Sequence, residues 1–413
     1  MIIKRDYYLQ QLISSKSNNL IKIVTGIRRS GKSFLLFNLF HNHLIETGIS
    51  EDHIIEIALD DRLNKNLRDP DVILQHIHER IIDDKLYYII LDEVQMIDEF
   101  TDVLNSLLHI RNADVYVTGS NSKFLSKDVV TEFRGRGDEI HLFPLSFAEL
   151  YDSVGGDKFE LWKSYYTYGG LPGILELDSD KKKAAYLQSL HETVYLKDII
   201  ERNNLKNSEE FMELMRVMAS CIGSPCNPSK LENTFKSVKN ETLDRKTISK
   251  YLSYMEDAFL IEKSMRYDIK GRKYIGTLSK YYFQDIGLRN ALLNFRQVEE
   301  NHIMENVIYN ELRLRGFCVD VGMVEARTAK ERKQLEVDFV ANMADRRYYI
   351  QSAFAMPDDA KREQECASLK RIDDSFKKII IMRDDIKPYH DNNGFYIVGL
   401  IDFLLKPDLM EQL

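Results

Sequence analysis

Leu20-Ile21-Lys22-Ile23-Val24-Thr25-Gly26-Ile27-Arg28-Arg29-Ser30-Gly31-Lys32-Ser33 is the stretch on which the fold is decided. Leu20 to Thr25 reads as a short strand. Gly26 to Ser33 has the spacing Gly-x-x-x-x-Gly-Lys-Ser. From Phe34 the chain continues with helical periodicity to Gly48, which would end the helix. Strand, glycine-bent loop and helix in that order form a phosphate-binding loop. The backbone N–H groups of the loop and the helix N-terminus point at phosphate oxygens. Gly26, Ile27, Arg28, Arg29, Ser30, Gly31, Lys32 and Ser33 are therefore the expected nucleotide-binding residues. Lys32 supplies a point charge to the β/γ-phosphates, and the Ser33 hydroxyl ligates Mg²⁺.

Such a loop calls for an acidic partner at the end of another strand. Lys85-Leu86-Tyr87-Tyr88-Ile89-Ile90-Leu91-Asp92-Glu93 supplies one. Its hydrophobic run reads as a buried parallel strand ending in two acids. Asp92 is expected to hold Mg²⁺ through water, and Glu93 to orient and deprotonate an attacking water. Ala113 to Ser122 reads as a third strand ending in small polar groups, of which Ser120 or Asn121 is the expected γ-phosphate sensor. Ile54 to Leu59 adds a further parallel strand, so the region is an α/β sheet with its ligands at strand C-termini. In Thr131 to Gly137, Arg136 is the expected phosphate-neutralising arginine, acting in cis or from a neighbouring subunit, with Arg134 in reserve. No Asn-Lys-x-Asp guanine-reading motif occurs, which favours ATP over GTP.

The set resembles a family. Gly26 to Ser33, Ile89-Ile90-Leu91-Asp92-Glu93-Val94-Gln95, Val117-Thr118-Gly119-Ser120-Asn121-Ser122, Pro144-Leu145-Ser146-Phe147-Ala148-Glu149-Leu150 and Tyr168-Gly169-Gly170-Leu171-Pro172 look like the predicted prokaryotic AAA-type P-loop ATPases that carry a C-terminal domain of unknown function. The resemblance spans essentially the whole chain. It implies ATP and Mg²⁺ as cofactors and an ATP hydrolase activity. Many members have Gly-Lys-Thr where this chain has Gly31-Lys32-Ser33; either hydroxyl ligates Mg²⁺.

After ~175 the chain turns helical. Lys181 to Glu201, Glu210 to Ile222, a helix opening at Pro228 with a Ser229/Glu232 capping box, and Arg245 to Ala258 carry apolar residues at helical spacing. Two β-like segments follow, Leu260 to Tyr267 and Lys280 to Gln284. This is the winged-helix pattern. Pro228 to Asp285 holds 12 Lys/Arg against 8 Asp/Glu, a balance of +4 that leaves −12 on the rest. Arg245, Lys246 and Lys250 on the helix and Lys270, Arg272 and Lys273 on the wing are the expected DNA contacts; the other reading is a protein-interaction or relay module.

Beyond Asn301 the pattern is α/β again. A helix with Glu305, a strand with Asp338, and a strand with Gln351-Ser352-Ala353 resemble the core of restriction-endonuclease-like nucleases. In those, carboxylates hold Mg²⁺ and a lysine helps activate water. Gln351 and Ala353 stand where Glu and Lys belong, so the expectation is a nuclease-like fold with lost or crippled cleavage.

Composition agrees. In 413 residues, 57 Lys+Arg against 65 Asp+Glu give a net charge of −8, with no global pull toward nucleic acid. No stretch approaches a membrane span and the start has no signal-peptide pattern, so a cytoplasmic protein without a membrane partner is expected. Cys221, Cys226, Cys318 and Cys366 read as reduced thiols. The expected architecture is a P-loop NTPase parallel sheet over 1–175, a helical winged-helix region over 176–295 and a small α/β nuclease-like domain over 296–413. The expected function is a Mg²⁺-dependent ATPase relaying its nucleotide state to the later modules. The alternative is a nucleotide-gated DNA-binding or defence switch with little turnover. DNA, a second copy of the chain, or an unidentified protein are the expected partners.

Overall fold

A computed structural model describes residues 3–119, 135–239, 243–298, 300–327 and 332–412. The chain divides into two compact units, Met1–Pro144 with Asp257–Phe259, and Leu145–Glu256 with Leu260–Leu413.

The first unit is built on five parallel strands: β1 (Ile21–Thr25), β2 (Ile54–Ala58), β3 (Tyr87–Asp92), β4 (Ala113–Thr118) and β5 (Gly137–His141). Their order is β2-β3-β4-β1-β5. Because side chains alternate, one strand feeds two cores. Ile21, Ile23, Tyr87, Ile89, Leu91, Val115 and Val117 pack on one face, with the helix Pro70–Arg80 and the helix Phe100–Leu107. Val24, Tyr88, Ile90 and Tyr116 pack on the other, against Leu35, Leu36, Phe40 and Leu44 of the helix over 32–46. That helix follows the glycine loop as expected, is wound as a π-helix over Leu35–Phe40, and stops at Glu46 just before Gly48. That face of the sheet also holds a buried ion pair, Lys22 of β1 with Asp114 of β4, braced by the Tyr116 hydroxyl and the Ser17 N–H.

The second unit holds an eight-stranded mixed sheet of order β12-β13-β11-β10-β9-β8-β6-β7. Its strands are β6 (Ile261–Asp268), β7 (Lys273–Phe283), β8 (Cys318–Arg327), β9 (Arg332–Met343), β10 (Arg346–Ala353), β11 (Lys377–Met382), β12 (Tyr389–His390) and β13 (Tyr396–Gly399). The two segments read as a wing form a hairpin, but β6 also pairs in parallel with β8, Arg266 opposite Val321. The would-be wing thus lies in the same sheet as the C-terminal strands. β8 has no counterpart in the sequence reading.

The units part at 144/145, upstream of the boundary expected near 175. The reason lies in two motifs. Ser146 and Glu149 form a capping box that starts the helix Phe147–Val154. The Leu145 N–H donates to the Gly170 carbonyl (2.8 Å), and the Gly170 N–H donates to the buried Asp285 carboxylate (2.8 Å). A Cβ on Gly170 would sit 2.2 Å from the Leu145 carbonyl oxygen, so the Gly169-Gly170 corner accepts no side chain. The capping box expected at Ser229/Glu232 does not form. Pro228 takes the first helical position, so Asn227 is the cap, accepting from the Lys230 N–H at 2.7 Å.

Candidate functional site

The sheet order explains how two motifs about 60 residues apart meet. β4 separates β1 from β3, and all three end at one edge. At the end of β1, Gly26 turns with φ +137°, and a Cβ there would lie 2.2 Å from the Leu142 carbonyl oxygen; only glycine fits. Gly31, at φ 100°, opens the helix over 32–46 with no side chain capping it. Its first-turn N–H groups are thus not served by a side-chain cap, the arrangement that favours an anion. Arg5 steadies the loop from outside, donating to the Ser30 carbonyl (3.2 Å) and the Phe143 carbonyl (2.7 Å).

Lys32 is buried and donates to the carbonyls of Gly26 (3.0 Å) and Ile27 (3.2 Å). Burial lowers its ammonium to about 8, against the pull of Glu93 and Asp92. Ser33 donates to Asp92 Oδ2 at 2.7 Å. Burial raises the Asp92 carboxyl above its ordinary range, while hydrogen bonds from Thr118 and Ser33 work against the rise. Glu93, half-buried, has a left-handed backbone (φ 53°), and its carboxylate accepts from the Gln95 amide.

Thr118 is the residue that sequence reading missed. Fully buried at the end of β4, it donates to Asp92 Oδ1 and accepts from the Glu93 N–H at 2.8 Å. One hydroxyl therefore fixes both acids. The only sequence signal was a polar residue closing a hydrophobic strand, two positions before the expected sensor. Ser120, Asn121 and Arg134 lie outside the described residues. Arg28 is half-buried and Arg29 exposed on the loop, Arg29 with φ 65°.

Arg136 is not brought to this edge. Its carbonyl accepts from the Ile21 N–H at 2.9 Å, at the start of β1, and β5 runs parallel to β1. Five strand residues, about 16 Å, separate that edge from the Gly26 loop. Its side chain cannot span that distance, so Arg136 does not serve its own chain's loop.

In the second unit, Glu305 and Asp338 lie near one another, around a residue that was not expected. Lys280 of β7, buried, donates to Glu305 (2.8 Å) and pairs with Glu336 (2.7 Å). The Tyr282 hydroxyl also donates to Glu305, at 2.7 Å. β9 carries an extra residue here: Gly322 faces Val337 and Asp320 faces Val340. Such bulges re-aim side chains. Asp338 accepts from the Ser352 N–H at 2.8 Å, and burial with the nearby Glu305 raises its carboxyl to about 8. Gln351 accepts from Ser368 at 3.4 Å, and Ala353 is packed in an apolar cluster. Among the described residues no cluster of three His, Cys, Asp or Glu is arranged to hold a metal.

The expected DNA contacts are exposed, but not all are free. Arg245 pairs with Glu232 at 2.7 Å, and the Lys250 ammonium sits 5.7 Å from the centre of the Tyr254 ring. Lys246, Arg272 and Lys273 face solvent. No helix among the described residues is long and apolar enough to cross a membrane.

Comparisons with known proteins place most of the first unit in a domain family. A family model described as an AAA domain matches residues 18–151, and one described as a domain of unknown function (DUF8612) matches residues 159–299. An uncharacterized protein of Methanocaldococcus jannaschii is 29% identical over 391 residues, 90% of this chain and 82% of its own. Cdc6p from Pyrobaculum aerophilum, a solved structure, aligns over 74% of this chain and 96% of its own at 13% identity, with a TM-score of 0.30, too low to carry further argument. An uncharacterized protein of Haemophilus influenzae is 33% identical over 414 residues, 98% of this chain and 99% of its own. The chain therefore belongs to the same family as the Haemophilus influenzae protein and carries an AAA domain over residues 18–151.

Proposed function

We propose that the chain is an ATP-binding, Mg²⁺-dependent ATPase. The observation that carries this reading is the direct hydrogen bond between Ser33 and Asp92, 2.7 Å long, beside a buried lysine bonded to loop carbonyls. The donor set fits the cofactors. A hydroxyl and a carboxylate are the hard oxygen ligands Mg²⁺ prefers, and uncapped helix N–H groups with a lysine suit phosphate. Bound ATP·Mg²⁺ supplies the phosphoryl group and the charge that neutralises it.

The chain's own residues then divide the work. The amides of Gly26 to Ser33 and the Lys32 ammonium bind the phosphates. Ser33 and Asp92 hold the ion. Glu93 orients an attacking water and takes its proton, with its backbone fixed by Thr118. An arginine from residue 136 would have to come from a neighbouring copy. Nucleotide state is relayed to the second unit. Lys32→Ala should lose ATP binding; Glu93→Gln should keep it and lose turnover. Unchanged turnover in Glu93→Gln would sink the assignment.

A second reading is a nucleotide-gated switch whose nuclease-like region does not cleave. What favours it is the pairing of both Glu305 and Glu336 with Lys280, with Ala353 where a lysine is expected. Mg²⁺-dependent DNA cleavage that disappears in Asp338→Ala would contradict it.

A further inference from the structure

A groove in the second unit is used by none of these roles. Its base is apolar, with Ile269 and Ile372 buried, and it encloses about 540 Å³. Lys270, Arg272, Arg347 and Phe376 line it. An adjoining pocket of about 430 Å³ shares Lys270 and Asp373 and adds Arg371. Both volumes lie in the range of ligand sites.

Its charge runs against the rest of the chain. The joined groove carries five cations and three acids, on a molecule of net charge −8. Glu363 and Lys370 cancel each other at 2.6 Å, which leaves four cations against Asp373 and Asp374, the latter accepting from the Tyr349 hydroxyl at 2.6 Å. Lys270, Arg272 and Arg371 are exposed and form no ion pair among the described residues. The groove therefore selects an anion.

Its aromatic lining narrows the class. The Arg347 guanidinium lies 5.2 Å from the centre of the Phe376 ring and 5.7 Å from that of Tyr267. Its Nε donates to Asn342 at 2.7 Å, which fixes the plane. Phe376 keeps 38% of its surface exposed. Unpaired cations beside an exposed ring and a fixed guanidinium are what a single strand requires: charges for its phosphates and flat faces for its bases. A paired duplex keeps its bases stacked and offers no face to Phe376.

We propose that this groove binds single-stranded nucleic acid, with phosphates on Lys270, Arg272 and Arg371 and a base stacked on Phe376 and Arg347. The proposal stands apart from the ATPase reading. It shares Lys270 and Arg272 with the duplex contact expected of the helix and wing, but Arg245, Lys246, Lys250 and Lys273 do not line the groove.

The test is fluorescence anisotropy on the full chain without nucleotide. The probes are labelled oligothymidylate, labelled oligouridylate and a labelled hairpin duplex, with polyglutamate as competitor. We expect a single strand to bind more tightly than the duplex; whichever of the two strands binds better identifies DNA or RNA as the source. Phe376→Ala and Arg347→Lys should each weaken binding about tenfold, the loss of one base stack. The affinity should fall with salt, and Arg371→Glu should flatten the log–log slope by about 0.7, one phosphate contact. Phe376 and Arg371 are exposed, so an unchanged melting temperature confirms that those variants fold. Duplex binding as tight as single-strand binding overturns the proposal. So does displacement by polyglutamate with indifference to Phe376→Ala, which would mark an acidic-peptide site, or no binding of any strand at low salt.

Discussion

Each unit buries a lysine among carboxylates, and the two lysines are held in opposite ways. Lys32 lies near Asp92 and Glu93 but bonds to two backbone carbonyls, while Asp92 bonds to hydroxyls. Burial wins, and its ammonium falls to about 8. Lys280 is bonded to the carboxylates of Glu305 and Glu336 themselves. Burial works to lower it too, but Glu305 and Glu336 reverse the effect and hold it above the ordinary lysine range. A cation that is desolvated yet unpaired gains most from an incoming anion. A cation saturated by carboxylates has nothing left to offer one. The first arrangement suits a binding site; the second closes on itself.

The largest expected effect lies in the first site. Lys32→Ala should weaken ATP binding at least about a hundredfold, the scale of about 3 kcal/mol for a charged contact, read by titration calorimetry. The same change at Lys280 should act on stability instead. Lys280→Ala leaves Glu305 and Glu336 without their cation and should cost about 3–5 kcal/mol by denaturant unfolding, with ATP affinity unchanged. Lost ATP affinity in a folded Lys280→Ala protein would break the contrast.

Asp338 sharpens it. Its native carboxyl titrates at about 8, above the ordinary 3.8, so the folded chain keeps a proton that the unfolded chain has released. Stability from this group is full below the ordinary carboxylate range and is lost as pH rises through about 8. Asp338→Asn removes the loss. Its stability relative to the parent should climb with pH across that window, read as a growing difference in melting temperature. A difference independent of pH would mean that Asp338 is ionised throughout. The smallest effect belongs to the surface: Arg245→Ala breaks an exposed pair with Glu232 and should change stability by less than about 1 kcal/mol.

What was legible in the sequence follows from range. The loop, the helix after it and the Asp92-Glu93 strand end are local patterns, where spacing fixes geometry. Thr118 was not legible, because its role depends on β4 lying between β1 and β3. The placing of Arg136 depends on β5 running parallel to β1, which puts its start at the far edge. Lys280 was hidden for the same reason. It sits on a strand read as a wing, and only the pairing of β6 with β8 joins that hairpin to the sheet carrying Asp338. The Ser146–Glu149 capping box is legible in its three-residue spacing, whereas the one expected at Ser229 yields to the proline beside it.

The role proposed for Glu93 is that of the base in an ATPase whose phosphates are held by Lys32. It is tested most directly by measuring ATP affinity and steady-state turnover together in Glu93→Gln. The expected result is affinity within about twofold of the parent and turnover reduced about 10²–10⁴-fold, the share of a general base. Turnover equal to the parent's, with binding intact, would contradict it.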